Sequence, residues 1–128
     1  MKILIAGAWF SHIHESAAAD AFARLGHQVE IQEAGPFAGG MMRFGIPKYR
    51  LPRDVLDAEI QRILDLGITL KLNTRVDNIL DTMKADGFDA AFLAVGAHVA
   101  KRTDIPARDA TRILDAVSVL RGMENSEQ

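Results

Sequence analysis

Gly7 is followed by Ala-Trp-Phe-Ser-His, and a carboxylate, Glu33, lies about 26 residues after Gly7, or roughly 21 after the end of that stretch, the usual distance for an acid that bonds a nucleotide ribose. A glycine turn feeding a helix offers main-chain amides to a diphosphate, and the acid then holds the sugar. The bland alternative for Glu33 is a solvated residue at a strand end. The turn itself departs from GxGxxG, because Trp9 stands at the second glycine and His12 at the third. An indole there fills room that phosphate oxygens need in order to reach backbone N–H groups. Dinucleotide binding is therefore expected to be weakened or lost, with Trp9 and Phe10 plugging the vacated space. A stacking platform for a base or flavin is the alternative.

Two other clusters have chemical potential. His12, His14 and Glu15 hold metal-binding side chains, but His12 and His14 are two apart and diverge on a helix, which leaves at most His12 with Glu15 on one face. No metal site is expected. Arg43, Lys48, Arg50 and Arg53 are interleaved with Met41, Met42, Phe44, Ile46, Tyr49 and Leu51. They read either as a clamp for an anionic cofactor or as a loop that covers itself or a second copy of the chain. The latter predicts a homodimer contact through residues 40–52, since exposed apolar patches mark interfaces. No catalytic constellation is present: there is no cysteine, no serine-centred nucleophile elbow and no carboxylate pair forced together by spacing.

The elements that must position these residues follow from periodicity. Ile3-Leu4-Ile5-Ala6 is a short apolar run ended by glycine, as in a strand buried on both faces. A helix is predicted from His12, capped by Ser11, with Ile13, Ala17, Ala18, Ala21, Phe22 and Leu25 apolar and Gly26 beyond its end. Residues 29–33 read as a second strand. Residues 35–52 contain four of the ten glycines and three of the four prolines, a long loop of the kind that is more often functional than idle. Next come an amphipathic helix with Val55, Leu56, Ile60, Ile63 and Leu64 on one stripe, a strand over 68–73, a short helix capped by Asp77 and ended at Gly87, and a buried strand over 90–95. A last helix is predicted over 110–121 through Ile113, Leu114, Val117 and Leu120, then a polar tail. Strands alternating with helices define an α/β fold, a Rossmann-like open parallel sheet of about four strands. The expected organisation is one domain over 1–122 and a flexible tail over 123–128.

Composition narrows the partners. A net charge of −2 argues against a nucleic acid, whose binding modules carry a strong basic excess. The lack of cysteine excludes disulfides and thiolate chemistry and fits a cytoplasmic protein. No apolar stretch approaches the roughly 20 residues of a membrane span, and the N-terminal run is shorter than a secretory signal requires.

From about residue 21 onward the chain resembles the FAD-binding part of the glutamate synthase small (beta) subunit family, which includes the related half of dihydropyrimidine dehydrogenase. The resemblance is carried by ARLGHQVEIQEAGPFAGGMMRFGIPKYRLPRDVLDAEIQRILDLGITLKLNTRV and GFDAAFLAVGAH. It implies FAD as a possible cofactor, an oxidoreductase partner subunit, and NADPH chemistry on a second domain. It also implies that Glu33 bonds the adenosine ribose and that Gly39, Gly40 and Met41 lie along the cofactor. Arg43 and the Gly45-Ile46-Pro47 turn would lie near its pyrophosphate–flavin part, and the strand end at Gly96 would pack against the dinucleotide. Gly7 keeps the first fingerprint position. No second GxGxxG occurs, so the NADPH domain and the segment completing the family's FAD site are expected to be missing, leaving no complete active site. Residues 1–20 are weakly similar to openings of glycosyltransferase-like Rossmann domains, which makes a sugar nucleotide a further alternative ligand.

Overall fold

The computed structural model describes residues 1–7, 15–96 and 114–126. The expectations for Trp9, Phe10, Ser11, His12, His14 and residues 97–113 lie outside them. Among the described residues nine elements follow in chain order: β1 (Lys2–Ala6), α1 (Glu15–Arg24), β2 (Gln28–Gln32), α2 (Gly40–Phe44), α3 (Arg53–Leu64), β3 (Thr69–Lys71), α4 (Ile79–Asp86), β4 (Ala90–Leu93) and α5 (Ala116–Ser126). The four strands form one sheet in the order β3-β2-β1-β4, and every pairing is parallel. This is the Rossmann-like α/β fold expected from the alternation of elements.

The core follows from strand alternation, because successive side chains leave opposite faces of the sheet. Ile5 joins Val29, Ile31, Ala19, Leu56, Ile60 and Ile63 on the face covered by α1 and α3. Leu4 and Ala6 face the other way and pack with Phe88, Ile79 and Met83 beside α4. Each large side chain buried in this way contributes roughly 1.5–3 kcal/mol. The sheet is thus covered on both sides, as a parallel sheet must be.

Details of register differ from expectation. In α1 the buried position is Ala19, with Phe22 and Ala23 packed against the core, while Leu25 is 71% exposed. In α3 the buried stripe is Leu56, Ile60 and Ile63, and Val55 is outside it. The cap of α4 is Asn78 rather than Asp77; its side chain accepts bonds from the N–H groups of Leu80 and Asp81. Asp77 instead accepts from Arg75 Nε at 2.7 Å. The strand expected over 90–95 ends at Leu93; Ala90, Ala91 and Phe92 are half-buried and Leu93 is exposed, because among the described residues β4 is an edge strand paired with β1.

The largest difference lies at the C-terminus. The last helix begins at Ala116, where Asp115 accepts bonds from Val117 N and Ser118 N, and it runs on to Ser126. Residues 123–126, read as tail, are helical, and Glu124 is buried. An aspartate N-cap sets where the helix starts, and a buried ion pair, described below, draws its end onto the fold.

Candidate functional site

Strand order reverses beside β1, with β2 on one side and β4 on the other, and open α/β sheets bind ligands at the carboxyl ends of strands at such a point. A cavity of about 560 Å³ lies there. Ala6 and Gly7 form its floor at the end of β1, and residues 32–36 form the wall that continues β2. Gly40 and Phe44 come from α2, residues 74–76 from beyond β3, Val95 from beyond β4 and Arg121 from α5. Its volume falls within the range of small-molecule sites.

Gly7 is held from two sides. Its N–H donates to Gln32 O at 3.2 Å, tying the end of β1 to that of β2. On the other side it abuts the chain after β4: a Cβ here would lie 2.2 Å from the carbonyl carbon and oxygen of Ala94. Its φ of +148° is also one that other residues rarely adopt. At Gly7 the floor of the cavity is therefore bare backbone.

Glu33 follows directly on β2 and is buried. Its main chain is clamped by the strand beyond: Glu33 N donates to Lys71 O at 2.9 Å and Thr74 N donates to Glu33 O at 2.8 Å. Its side chain is fixed as well, Oε1 accepting from Gly35 N at 2.7 Å. A carboxylate on the cavity wall with its main chain and one oxygen secured is pre-oriented for a ribose hydroxyl. Three residues earlier, within β2, Glu30 is bonded by Lys71 at 2.8 Å and by Gln32 at 2.8 Å. Burial pushes the Glu30 carboxyl up, but these two hydrogen bonds and the lysine charge hold it below its usual value. The same contact raises Lys71.

The other residues singled out in the sequence divide. Gly40 lines the cavity with Gly7 and Glu33. Gly39 does not; its φ of +122° turns the chain into α2 against the Arg43 side chain and Leu56. Met41 is 42% exposed. Gly96 is exposed, in the left-handed region, next to the cavity residue Val95. Arg43 points inward, away from the cavity. Its Nε donates to Ala38 O at 2.6 Å, Nη2 pairs with Asp57, and Nη1 lies 3.6 Å from Glu124. Arg53 also turns in, donating to the carbonyls of Arg43, Ile46 and Leu51 and to both carboxylate oxygens of Glu124. Two of the four cations expected in a clamp thus bind the loop to itself. Met42 and Leu51 pack on the core, while Tyr49 is 84% exposed.

Arg121 and Phe44 were not anticipated as site residues. The Arg121 guanidinium lies over the Phe44 ring, 5.2 Å from its centre, and both line the cavity. The helix expected over 110–121 already held Arg121, but nothing local marked that residue as facing a cavity. Among the described residues no group of three or more His, Asp or Glu side chains could hold a metal ion, and no helix is long and apolar enough to cross a membrane.

Sheet order, bare glycine floor and carboxylate wall together define a domain of the Rossmann-like, nucleotide-binding type. Its kinship is with a particular group of redox proteins. The chain is 47% identical over 95 residues to the NADP(+)-dependent formate dehydrogenase subunit beta of Moorella thermoacetica, covering 73% of this chain and 13% of that protein. It is 34% identical over 106 residues to the glutamate synthase [NADPH] small chain of Escherichia coli, covering 81% and 22%. A solved 2-naphthoyl-CoA reductase complex superposes with a TM-score of 0.65 at 27% identity, covering 95% of this chain and 18% of that one. No family model matches the chain. The chain is homologous to one region of the glutamate synthase small chain and its oxidoreductase relatives, and it spans only 13% and 22% of the two relatives' lengths.

Proposed function

We propose that this chain is a nucleotide-binding domain of an NAD(P)-linked oxidoreductase system, receiving the adenosine diphosphate half of FAD and acting beside a partner that supplies the nicotinamide site. The observation that carries the reading is that Gly7 and Glu33 line one cavity at the carboxyl edge of the sheet. The donor set fits the group: a carboxylate for ribose hydroxyls, a side-chain-free floor, and arginines at residues 75 and 121 for phosphate charge. Bound flavin would supply the electron transfer; the chain's own residues bind and orient its nucleotide end. Met41 and Tyr49, exposed on the 40–52 loop, support a protein contact there, with a second copy or the oxidoreductase partner.

Absorbance at 450 nm and a thermal scan with added FAD test the reading. Stoichiometric flavin after gel filtration, or stabilisation of about 2.7 kcal/mol at 100 times the dissociation constant, is the expected result. A colourless protein unmoved by FAD or ADP overturns it, and a response to a UDP-sugar alone reassigns the ligand. Trp9 favours a second reading, in which dinucleotide affinity is much reduced. On that reading Trp9→Gly raises FAD affinity.

A further inference from the structure

We infer that Arg121 is the phosphate-binding side chain of the cavity and that Glu124, one helical turn further along α5, is the residue that positions it. The inference rests on the nucleotide reading and adds to it a part of the chain that lies far from the glycine turn.

The two residues are three apart on one helix and therefore share a face. That face carries a buried charged contact. Glu124 is 4% exposed and receives Arg53 through both carboxylate oxygens, Nε to Oε1 at 3.0 Å and Nη2 to Oε2 at 3.0 Å, with Arg43 at 3.6 Å. Burial alone would raise this carboxyl. The hydrogen bonds and charge of Arg53, with the charges of Lys48 and Arg43, bring it below its usual value instead, so Glu124 is anionic in the fold and the helix cannot roll without breaking a charged contact. With α5 fixed in this rotation, Arg121 lies over Phe44 at the cavity wall. The guanidinium is held 5.2 Å from the centre of that ring, and its fork of N–H donors suits bidentate contact with phosphate oxygens.

The cavity has another arginine, but it is a weaker candidate. Arg75 is 79% exposed, so its charge is screened by solvent. Arg121 is half-buried. Glu33 and Arg121 on the walls of one cavity fit a ligand that has hydroxyls at one end and phosphate at the other.

Titration calorimetry with ADP and with adenosine separates the possibilities. In the unaltered protein ADP is expected to bind more tightly than adenosine. Arg121→Gln is expected to weaken ADP about tenfold, the worth of one charge-assisted hydrogen bond, and to change adenosine less than about twofold. Arg121→Lys restores part of the loss, and Arg75→Gln has the smaller effect. Glu124→Gln is expected to lower the ADP-to-adenosine preference as Arg121→Gln does, and the double variant to lose no more than Arg121→Gln alone. Equal losses for ADP and adenosine, or an unchanged preference, overturn the role of Arg121. Additive losses overturn the role of Glu124 as its positioner. Failure of the unaltered protein to bind either ligand overturns the nucleotide reading, and this inference with it.

Discussion

Arg53 and Glu124 are 71 residues apart in the chain and meet in a two-pronged ion pair. Arg53 opens α3 and Glu124 closes α5, and the same guanidinium bonds the carbonyls of Arg43 and Ile46 at 2.6 Å and 3.0 Å. One side chain therefore fastens the glycine-rich loop and the last helix to the helix behind the sheet.

Because both partners are largely buried, removing one strands the other. Glu124→Ala is expected to destabilise the protein by about 3 kcal/mol, the lower end for a broken buried pair. Arg53→Met should have a similar effect. The paired change Arg53→Met with Glu124→Leu is expected to be less harmful than the sum, since no buried charge is left uncompensated. Urea unfolding of the four proteins measures this as a double-mutant cycle. Strict additivity would show that the pair is not an energetic unit.

The same contact makes stability depend on acid. Glu124 in the fold lies below its ordinary value of 4.5, as does Glu30. A carboxyl lowered by folding contributes stability above its unfolded value, and the contribution is lost as pH falls through the folded one. Stability is therefore expected to be flat in these two groups above about pH 5 and to fall below 4.5 as the unfolded chain takes up protons first. Glu124→Gln should flatten part of that acid limb in unfolding titrations. A variant with the unaltered slope would place the acid sensitivity elsewhere.

The outcome at Glu124 also shows what a sequence can and cannot reveal. The strand over residues 3–6 was legible because a continuous apolar run ended by glycine has few other uses. The Rossmann-like order of elements followed from the alternation of such runs with helical periods. Glu33 was legible by its distance from Gly7, and it does reach the cavity with Gly7. Arg43 was assigned to a cofactor by resemblance, but its Nε bonds Ala38 O and its guanidinium faces Asp57 and Glu124. Pairs between distant residues leave no periodicity in the chain, so nothing local distinguishes an inward arginine from a ligand-facing one. The polar stretch after 122 reads as solvated for the same reason: its buried Glu124 is satisfied by a partner 71 positions away. Edge exposure was hidden too, since Leu93, at 63% exposed, belongs to a run as apolar as that of β1.

Gly7 offers a test of the bare floor. Alanine there would place Cβ 2.2 Å from the Ala94 carbonyl and 2.5 Å from Val95 N. These are backbone atoms of a paired strand end, which cannot turn aside as a side chain does. Gly7→Ala is expected to cost about 3 kcal/mol or more, combining overpacking with a strained φ. Gly26→Ala is the control: its φ is +78° but nothing lies within 4 Å of the added atom, so only the left-handed backbone penalty of about 1 kcal/mol applies. Denaturant midpoints that fall equally for the two variants would mean that β1 and β4 separate more readily than their contact suggests.

Glu33 should decide which adenine nucleotides enter. Its carboxylate lies on the cavity wall, with Oε1 bonded to Gly35 N and the main chain held on both sides, so it cannot swing away from an incoming group without breaking that contact. A ribose with free hydroxyls gives this oxygen pair a donor. A ribose bearing a 2′-phosphate gives it a second anion at close range in a partly buried place, where repulsion is poorly screened. The protein is therefore expected to prefer 5′-AMP over 2′,5′-ADP, which differs from it only by the 2′-phosphate, by about tenfold or more, equivalent to roughly 1.4 kcal/mol. Glu33→Gln removes the charge but keeps the shape and an acceptor for Gly35. That variant should bind 2′,5′-ADP more tightly and 5′-AMP more weakly, narrowing the preference from both directions. Competition measurements on the two proteins read the ratio directly. If the ratio does not move, the carboxylate serves only to hold the turn at Gly35, and the sugar must be recognised by other groups on the wall.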